Sequence, residues 1–381
     1  MKKTLVMVAL TALAAAAFGA NPPAIQWQRT FTGYRGAEAR WVEVTADQGF
    51  IIAGSTDTTG STLLKRVYAV MLLKLNSQGD LVWVRYFPTL GFSVAHSVRQ
   101  TPDRGFVVAG QTMYDMNLNL RGGFTFLIRT DSLGNELWRQ YYRDKLTTGF
   151  VVSLTDDGGY VLSAFDPGSD STIMVFKLDS VGQVQWQRRY LPGYFKTEQT
   201  VPIEQTSDRG FIVGTRTSLL KLDSLGNVQW QHGYPGAERI WSVRETPDSG
   251  FIATGEGAYG TDPVFRDSVK FFLLKTDRHG NQTWLRDLYG GRVRAGRCVE
   301  LTSDGGYIAA GGTCPISGLF GLVIRADSTG TVLWTKSLAA RSGAYSVRQL
   351  ADGGYIVVGW SSDASLEGLK LTVWRLAPDS K

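Results

Sequence analysis

TSDGGYIAAG, residues 302–311, sets a threonine, an aspartate and two glycines ahead of an alternating run of aromatic, β-branched and small residues. Asp-x-Gly between two extended runs supplies the positive φ that a tight hairpin needs, so the segment reads as strand, turn, strand. The same pattern stands at 45–54 (TADQGFIIAG), 101–110 (TPDRGFVVAG), 155–164 (TDDGGYVLSA), 206–215 (TSDRGFIVGT), 246–255 (TPDSGFIATG) and 350–359 (LADGGYIVVG). Internal repetition at a spacing of about fifty residues is the mark of a stacked or radial array and overrides the two or three domains that length alone suggests.

A second signature alternates with the first: an apolar strand, Asp or Asn, two residues, Gly, three residues, then Trp. It ends at Trp83 (LKLNSQGDLVW), Trp138 (IRTDSLGNELW), Trp186 (FKLDSVGQVQW), Trp230 (LKLDSLGNVQW), Trp284 (LKTDRHGNQTW) and Trp334 (IRADSTGTVLW). This too is a hairpin, so each unit carries four short antiparallel strands, the content of one propeller blade. The seventh unit stops after Leu369 to Leu376 and lacks its Trp strand, while IQWQRTFT at 25–32 is a strand without a unit. The two halves complete each other. The expected fold is therefore all-β, a seven-bladed β-propeller of four-stranded antiparallel blades closed by the N-terminal strand, which removes an open sheet edge.

Residues 1–20 have the order of a secretory signal: Lys2 and Lys3, an apolar stretch from Leu5 to Phe18, and small residues from Ala14 to Ala20. The expected organisation is signal peptide 1–20 and a single propeller domain 21–381, exported to the periplasm or the exterior as a monomer. No later stretch approaches the ~18 apolar residues of a membrane span. Loss of Lys2 and Lys3 takes the formal charge from +6 to +4, a mild bias that is no nucleic-acid signature. Cys298 and Cys314, the only cysteines, flank one hairpin; a disulfide and two buried thiols both remain open.

On these units the chain resembles exported bacterial repeat propellers with DGGY-x-x-x-G and K-x-D-S-x-G-x-x-x-W repeats, over essentially all of residues 21–381. The D-S-x-G-x-x-x-W turn is also similar to the tryptophan-docking motif of quinone-dependent dehydrogenases, with a turn one residue shorter. It has a likeness to the Asp-box hairpin of sialidases, whose spacing differs. These likenesses imply a fold rather than a function, because such turns lie far from the catalytic centres of those families.

Counting four residues back from each turn aspartate gives Glu43, Arg99, Ser153, Glu204, Arg244, Glu300 and Arg348, one per innermost strand. Their signs alternate around the ring, which reads as a structural network of ion pairs lining the central channel. The departures from the repeat are candidates for function. Tyr34, Arg35, Tyr142, Arg143, Tyr194, Tyr234, Tyr289, Arg292, Arg294, Arg297 and Arg341 fall where the longer connections emerge on one face, and Tyr and Arg are residue types that dominate binding hot spots.

The three histidines, His96, His232 and His279, have no metal-ligand spacing, and Asp115 to Asn119 lacks the glycine and distal glutamate of a calcium loop. No metal, cofactor or catalytic group is expected. The expected role is a secreted or surface-associated binding or scaffold propeller that offers its loop face to a protein or glycan. The alternative is an extracellular carbohydrate-active or quinone-dependent enzyme with an arginine-rich centre on the same face.

Overall fold

The computed structural model describes residues 21–31, 37–57, 68–89, 92–113, 123–142, 148–166, 172–191, 201–257, 269–313, 319–363 and 369–380, and the side chains at most of these positions. Every regular element among them is a β-strand. Blade 1 is β2 (Ala37–Val44), β3 (Phe50–Asp57), β4 (Tyr68–Leu75) and β5 (Leu81–Phe87); blade 2 is β6 (Phe92–Gln100), β7 (Phe106–Met113), β8 (Gly123–Thr130) and β9 (Glu136–Tyr142). Blade 3 is β10 (Thr148–Leu154), β11 (Tyr160–Asp166), β12 (Thr172–Leu178) and β13 (Val184–Tyr190); blade 4 is β14 (Ile203–Gln205), β15 (Phe211–Gly214), β16 (Ser218–Leu222) and β17 (Val228–Gly233).

Blades 5 and 6 share a strand. β18 (Ala237–Glu245), β19 (Phe251–Gly257) and β20 (Val269–Thr276) pair with the first part of β21 (Gln282–Leu301), whose second part pairs with β22 (Tyr307–Thr313), followed by β23 (Phe320–Ala326) and β24 (Val332–Ala340). Blade 7 is β25 (Ser342–Gln349), β26 (Tyr355–Ser361), β27 (Lys370–Leu376) and, as its outermost strand, β1 (Ile25–Phe31). β1 runs antiparallel to β27 from Ile25 opposite Leu376 to Phe31 opposite Leu371. The seven four-stranded antiparallel blades thus form the expected propeller, with the first strand completing the last blade.

The turn aspartate fastens each blade to itself. The basic residue two positions before the second signature's Asp or Asn folds back onto it from the third strand: Lys74–Asp47 at 2.9 Å, Arg129–Asp103 at 2.6 Å, Lys177–Asp157 at 2.7 Å, Lys221–Asp208 at 2.8 Å, Lys275–Asp248 at 2.9 Å and Arg325–Asp304 at 2.5 Å. Arg375 meets Asp352 in blade 7. Burial pushes the Asp47 carboxyl up, but the Thr45 hydroxyl, Lys74 and the Gly49 N–H outweigh it and hold the group at about 2. Asp157 and Asp248 are likewise held at about 2 against burial, by Lys177 with Thr155 and by Thr246 with Lys275.

The second signature joins one blade to the next. Each tryptophan stands tilted or edge-on to the aromatic residue that follows the glycine in the neighbouring blade, from Trp27–Phe50 (6.4 Å between ring centroids, tilted) and Trp83–Phe106 (5.9 Å, edge-on) to Trp334–Tyr355 (5.7 Å, edge-on). The same ring roofs the neighbour's positive-φ turn glycine: a Cβ on Gly134 would lie 2.9 Å from the Trp83 ring, and one on Gly226 2.9 Å from Trp186. Only glycine fits both the left-handed backbone and that approach. The rule holds across the closure, where Trp27 of β1 covers Gly79 of blade 1. Blade 7 has no such turn to offer Trp334. Asp379 takes its place, accepting hydrogen bonds from Trp334 Nε1 (2.9 Å) and the Tyr355 hydroxyl (2.9 Å), with Arg325 Nε at 3.5 Å.

The apolar core is divided accordingly. Val151, Val161 and Val175 of blade 3 pack with Ile203, Phe211 and Leu220 of blade 4, and Ile356, Val358 and Val373 of blade 7 pack with Ile52, Met71 and Leu73 of blade 1. Burying apolar area between blades rather than within them is what makes a single blade unable to stand alone.

Candidate functional site at the mouth of the channel

The innermost strands β2, β6, β10, β14, β18, β21 and β25 bring the seven ring residues together at one level. Glu43 lies 3.5 Å from Arg99, Arg244 lies 3.8 Å from Glu204 and 2.5 Å from Glu300, and Arg348 lies 2.6 Å from Glu300. Ser153 is buried in the gap between Arg99 and Glu204 in chain order. Arg348 and Glu43, the remaining neighbours of opposite sign, make no ion pair; the Arg348 guanidinium instead faces the Trp41 ring at 4.9 Å. Arg99 and Arg244 also face that ring, at 4.3 and 5.8 Å. Trp41 therefore plugs the axis among three guanidinium groups, where an indole face is electrostatically favourable. Its Nε1 has no acceptor among the described residues.

Charge here is set by burial and by the partners. Burial lowers Arg99, and Glu43 only partly opposes it, leaving the group at about 10. Burial raises the Glu204 carboxyl, with Arg244 the chief opposing charge. Burial also pushes Glu300 up, but Arg244 and Arg348 together bring it below the usual carboxylate range.

Two residues before the ring position, serines stitch blades together: Ser97 Oγ accepts from Val152 N at 2.9 Å and Ser242 Oγ from Val299 N at 3.2 Å. Cys298 occupies the same position in β21, with its free, buried thiol 3.8 Å from Val347 O. Cys314 lies outside the described residues.

One residue further toward the loop face, six of the innermost strands carry a β-bulge at equivalent places, so that Arg40, His96, Phe150, Trp241, Arg297 and Tyr345 have no partner residue on the second strand. A bulge re-aims the extra side chain out of the regular alternation. Five of these side chains are described, and they meet across blades. Arg297 stacks on Trp241 at 4.1 Å and lies 6.0 Å from the Tyr345 ring, and Arg40 faces Tyr345 at 5.7 Å.

The carboxylates of this layer are already engaged. Glu38 binds Arg40 at 2.5 Å, and Glu256 accepts from Trp241 Nε1 at 3.1 Å while lying 3.6 Å from Arg239. Arg297 has no carboxylate or carbonyl within hydrogen-bonding distance among the described residues. Burial pulls its guanidinium below the usual arginine range, and it raises the Tyr345 phenol. Burial and then nearby Arg40 push the His96 imidazole well below the ordinary histidine range.

The residues expected on the loop face separate into three groups. Arg297 falls at the channel mouth, and Arg341 is exposed in the turn between β24 and β25, donating to Asp363 O at 3.3 Å. Tyr142 and Tyr234 correct the expectation: both are buried, with hydroxyls donating to Gly182 O and Gly280 O at 2.8 Å in the following blade. They stand four residues after Trp138 and Trp230 and belong to the repeat's own joint, as does Tyr190 on Gly226 O at 2.6 Å. Tyr34, Arg35, Arg143 and Tyr194 lie outside the described residues, as do the side chains of Tyr289, Arg292 and Arg294 in β21, the segment Asp115 to Asn119 and residues 1–20. Among the described residues there is no cluster of His, Cys, Asp or Glu that could hold a metal ion, and no helix long and apolar enough to cross a membrane.

No family model and no curated protein matches the sequence. Solved structures do. The Neurospora crassa Pan2 WD40 domain superposes with a TM-score of 0.57 at 11% identity, covering 94% of this chain and 99% of that one. A virginiamycin B lyase from Staphylococcus aureus, solved in a catalytically inactive form with quinupristin, gives 0.57 at 9% identity over 92% and 99%. YCF48 bound to D1 peptide gives 0.54 at 9% identity over 94% and 98%. At such identities the likeness extends to architecture alone: the chain is a seven-bladed β-propeller.

Proposed function

We propose that the protein is an exported, monomeric binding propeller that presents its loop face, centred on the channel mouth, to a protein or glycan ligand. The observation that carries this reading is the division of labour along the innermost strands. The turn Asp, Thr and aromatic positions and the ion ring are consumed by contacts within and between blades. The bulge positions vary from Arg to His, Phe, Trp and Tyr, and Arg40, Trp241, Arg297 and Tyr345 among them meet at one end of the channel. Clustered Trp, Tyr and Arg side chains are the composition of a binding centre. Export rests on the order of residues 1–20, and the monomer on a ring whose last blade is completed by its own first strand, leaving only the short outer strand of each blade as an edge.

The test is a glycan and peptide array probed with residues 21–381. The reading predicts a saturable ligand whose binding weakens when Trp241 is changed to Ala. A ligand held instead on the tight-turn face, unaffected by Trp241→Ala and by Tyr345→Ala, would overturn it.

A second reading, glycan hydrolysis, has one observation behind it: Arg40, Arg239 and Arg297 gather with Tyr345 and Glu38 at the mouth. Burial holds the Tyr345 phenol protonated, which opposes a nucleophilic role and favours binding. Release of 4-methylumbelliferone from its glycosides of acidic sugars decides between the two.

A further inference from the structure

The proposed binding role can be narrowed by one imbalance of charge at the mouth. Among the described side chains there, Arg40 is paired with Glu38 and Arg239 with Glu256, while Arg297 makes no ion pair and has only the longer-range attraction of Glu256, already shared with Arg239. Its face is engaged, since the guanidinium stacks against the Trp241 ring at 4.1 Å, with the Tyr345 ring 6.0 Å away. Stacking fixes the orientation of the guanidinium and leaves its edge, with the N–H fork, as the part not yet used. Such a fork matches a carboxylate in two parallel hydrogen bonds. A partly buried cation without an acceptor carries a desolvation cost, and a bound carboxylate would relieve it.

The surroundings of that fork select among carboxylates. The mouth is built from side chains: the partly exposed Trp241 and Tyr345, Trp360, which donates a hydrogen bond to the Tyr345 hydroxyl, and beside them the carboxylates of Glu38 and Glu256 and the guanidiniums of Arg40 and Arg239. Aromatic rims pack against the C–H face of a pyranose, and alternating acceptors and donors suit its hydroxyls. A peptide terminus would instead call for a row of backbone N–H groups, and the backbone of these strands is committed to blade pairing apart from the bulges.

We propose that the channel mouth binds an acidic sugar residue, with Arg297 clamping its carboxylate and the Trp241, Tyr345 and Trp360 rims receiving its ring. This rests on the binding reading above and adds the ligand's chemistry. The acid can come from a uronate or from a nonulosonate such as sialic acid, because the clamp sees the carboxylate in both.

Isothermal titration of residues 21–381 with trigalacturonate and with 3′-sialyllactose separates the two sources. The methyl ester of trigalacturonate and neutral maltotriose are the controls. At least one acid should bind, with its ester or neutral counterpart weaker by about tenfold or more, the size of a charge-assisted pair. Arg297→Gln should weaken the acid by roughly 10–100-fold with little effect on a neutral sugar. Arg297→Lys, which keeps the charge but loses the fork, should fall between.

Equal binding of acid and ester by the unaltered protein would overturn the proposal without reference to any variant, and so would full affinity in a folded Arg297→Gln protein. Failure of every acidic sugar alongside a clear peptide or neutral-glycan ligand on the array would also overturn it while leaving the binding role intact. Failure of all ligands would end both.

Discussion

Replacing Arg244 by Gln perturbs the channel at its most connected point. Arg244 is the ion-pair partner of Glu204 at 3.8 Å and shares Glu300 with Arg348. Its loss leaves Glu300 one guanidinium and leaves Glu204 with none within ion-pair distance among the described residues. Breaking a buried pair from one side costs about 3–5 kcal/mol, against about 0–1 kcal/mol for an exposed pair such as Lys270–Asp287. The penalty must depend on pH in a definite direction. Burial already raises Glu204, and without Arg244 it rises further. A carboxyl whose folded pKa exceeds its unfolded value contributes stability that is complete at low pH and is lost as pH rises through the folded pKa. The variant should therefore lose most at pH 8 and progressively less toward pH 5, as Glu204 takes up a proton. Urea unfolding at both pH values, with Lys270→Gln as the exposed control, measures this. A loss below about 1 kcal/mol at pH 8, or one that does not shrink at pH 5, would refute the coupling assigned to the ring.

The tryptophan joint can be separated from backbone strain by two glycines with the same φ. Gly158 (φ +78°) has open space where a Cβ would go, whereas Gly226 (φ +79°) has Trp186 at 2.9 Å; Gly158→Ala should cost about 1 kcal/mol and Gly226→Ala clearly more by equilibrium denaturation. Asp379→Ala removes the acceptor of Trp334 and Tyr355 and exposes the seam, and should cost about 1–3 kcal/mol; an unchanged midpoint would remove the tail from the closure. Asp157→Asn should flatten the acid limb of the stability profile. A carboxylate held at about 2 in the fold stabilises at pH above its unfolded value and loses that contribution as pH falls toward 2, so the variant's deficit should be largest at neutral pH and vanish in acid.

Deleting residues 21–31 tests the closure directly. The deletion removes β1 from its pairing with β27 and Trp27 from Gly79 and Phe50, and the truncated chain should unfold at a lower urea concentration than residues 21–381.

The blades were legible because hairpin chemistry repeats: Asp-x-Gly and Asp-x-x-Gly mark turns wherever they stand, and the incomplete last unit named its missing strand. The ion ring was legible because its offset from the turn aspartate is constant, so counting replaces geometry. The mouth was not. A bulge inserts one residue into the inside–outside alternation, and nothing in the run GRCVEL at 296–301 marks Arg297 rather than Cys298 as the extra one. Tyr142 and Tyr234 were misplaced for a different reason. They fall where the last strand of a blade gives way to the connection beyond it, so they were read with that connection, although their fixed distance of four from Trp138 and Trp230 was a repeat signal open to notice. The lysine or arginine two before each second-signature Asp or Asn was visible too, at Lys177 and Arg325 for example. Its pairing with the turn aspartate needed the third strand folded back on the first turn.

Hydrogen–deuterium exchange of residues 21–381, with and without saturating acidic oligosaccharide, tests the account at its centre. Protection on ligand addition is predicted at the loop-side ends of the innermost strands, around Arg40, Trp241, Arg297 and Tyr345, with the tight turns at 45–49, 155–159 and 302–306 unchanged. Protection confined to those turns or to the outer strands, with the mouth unaffected, would contradict it.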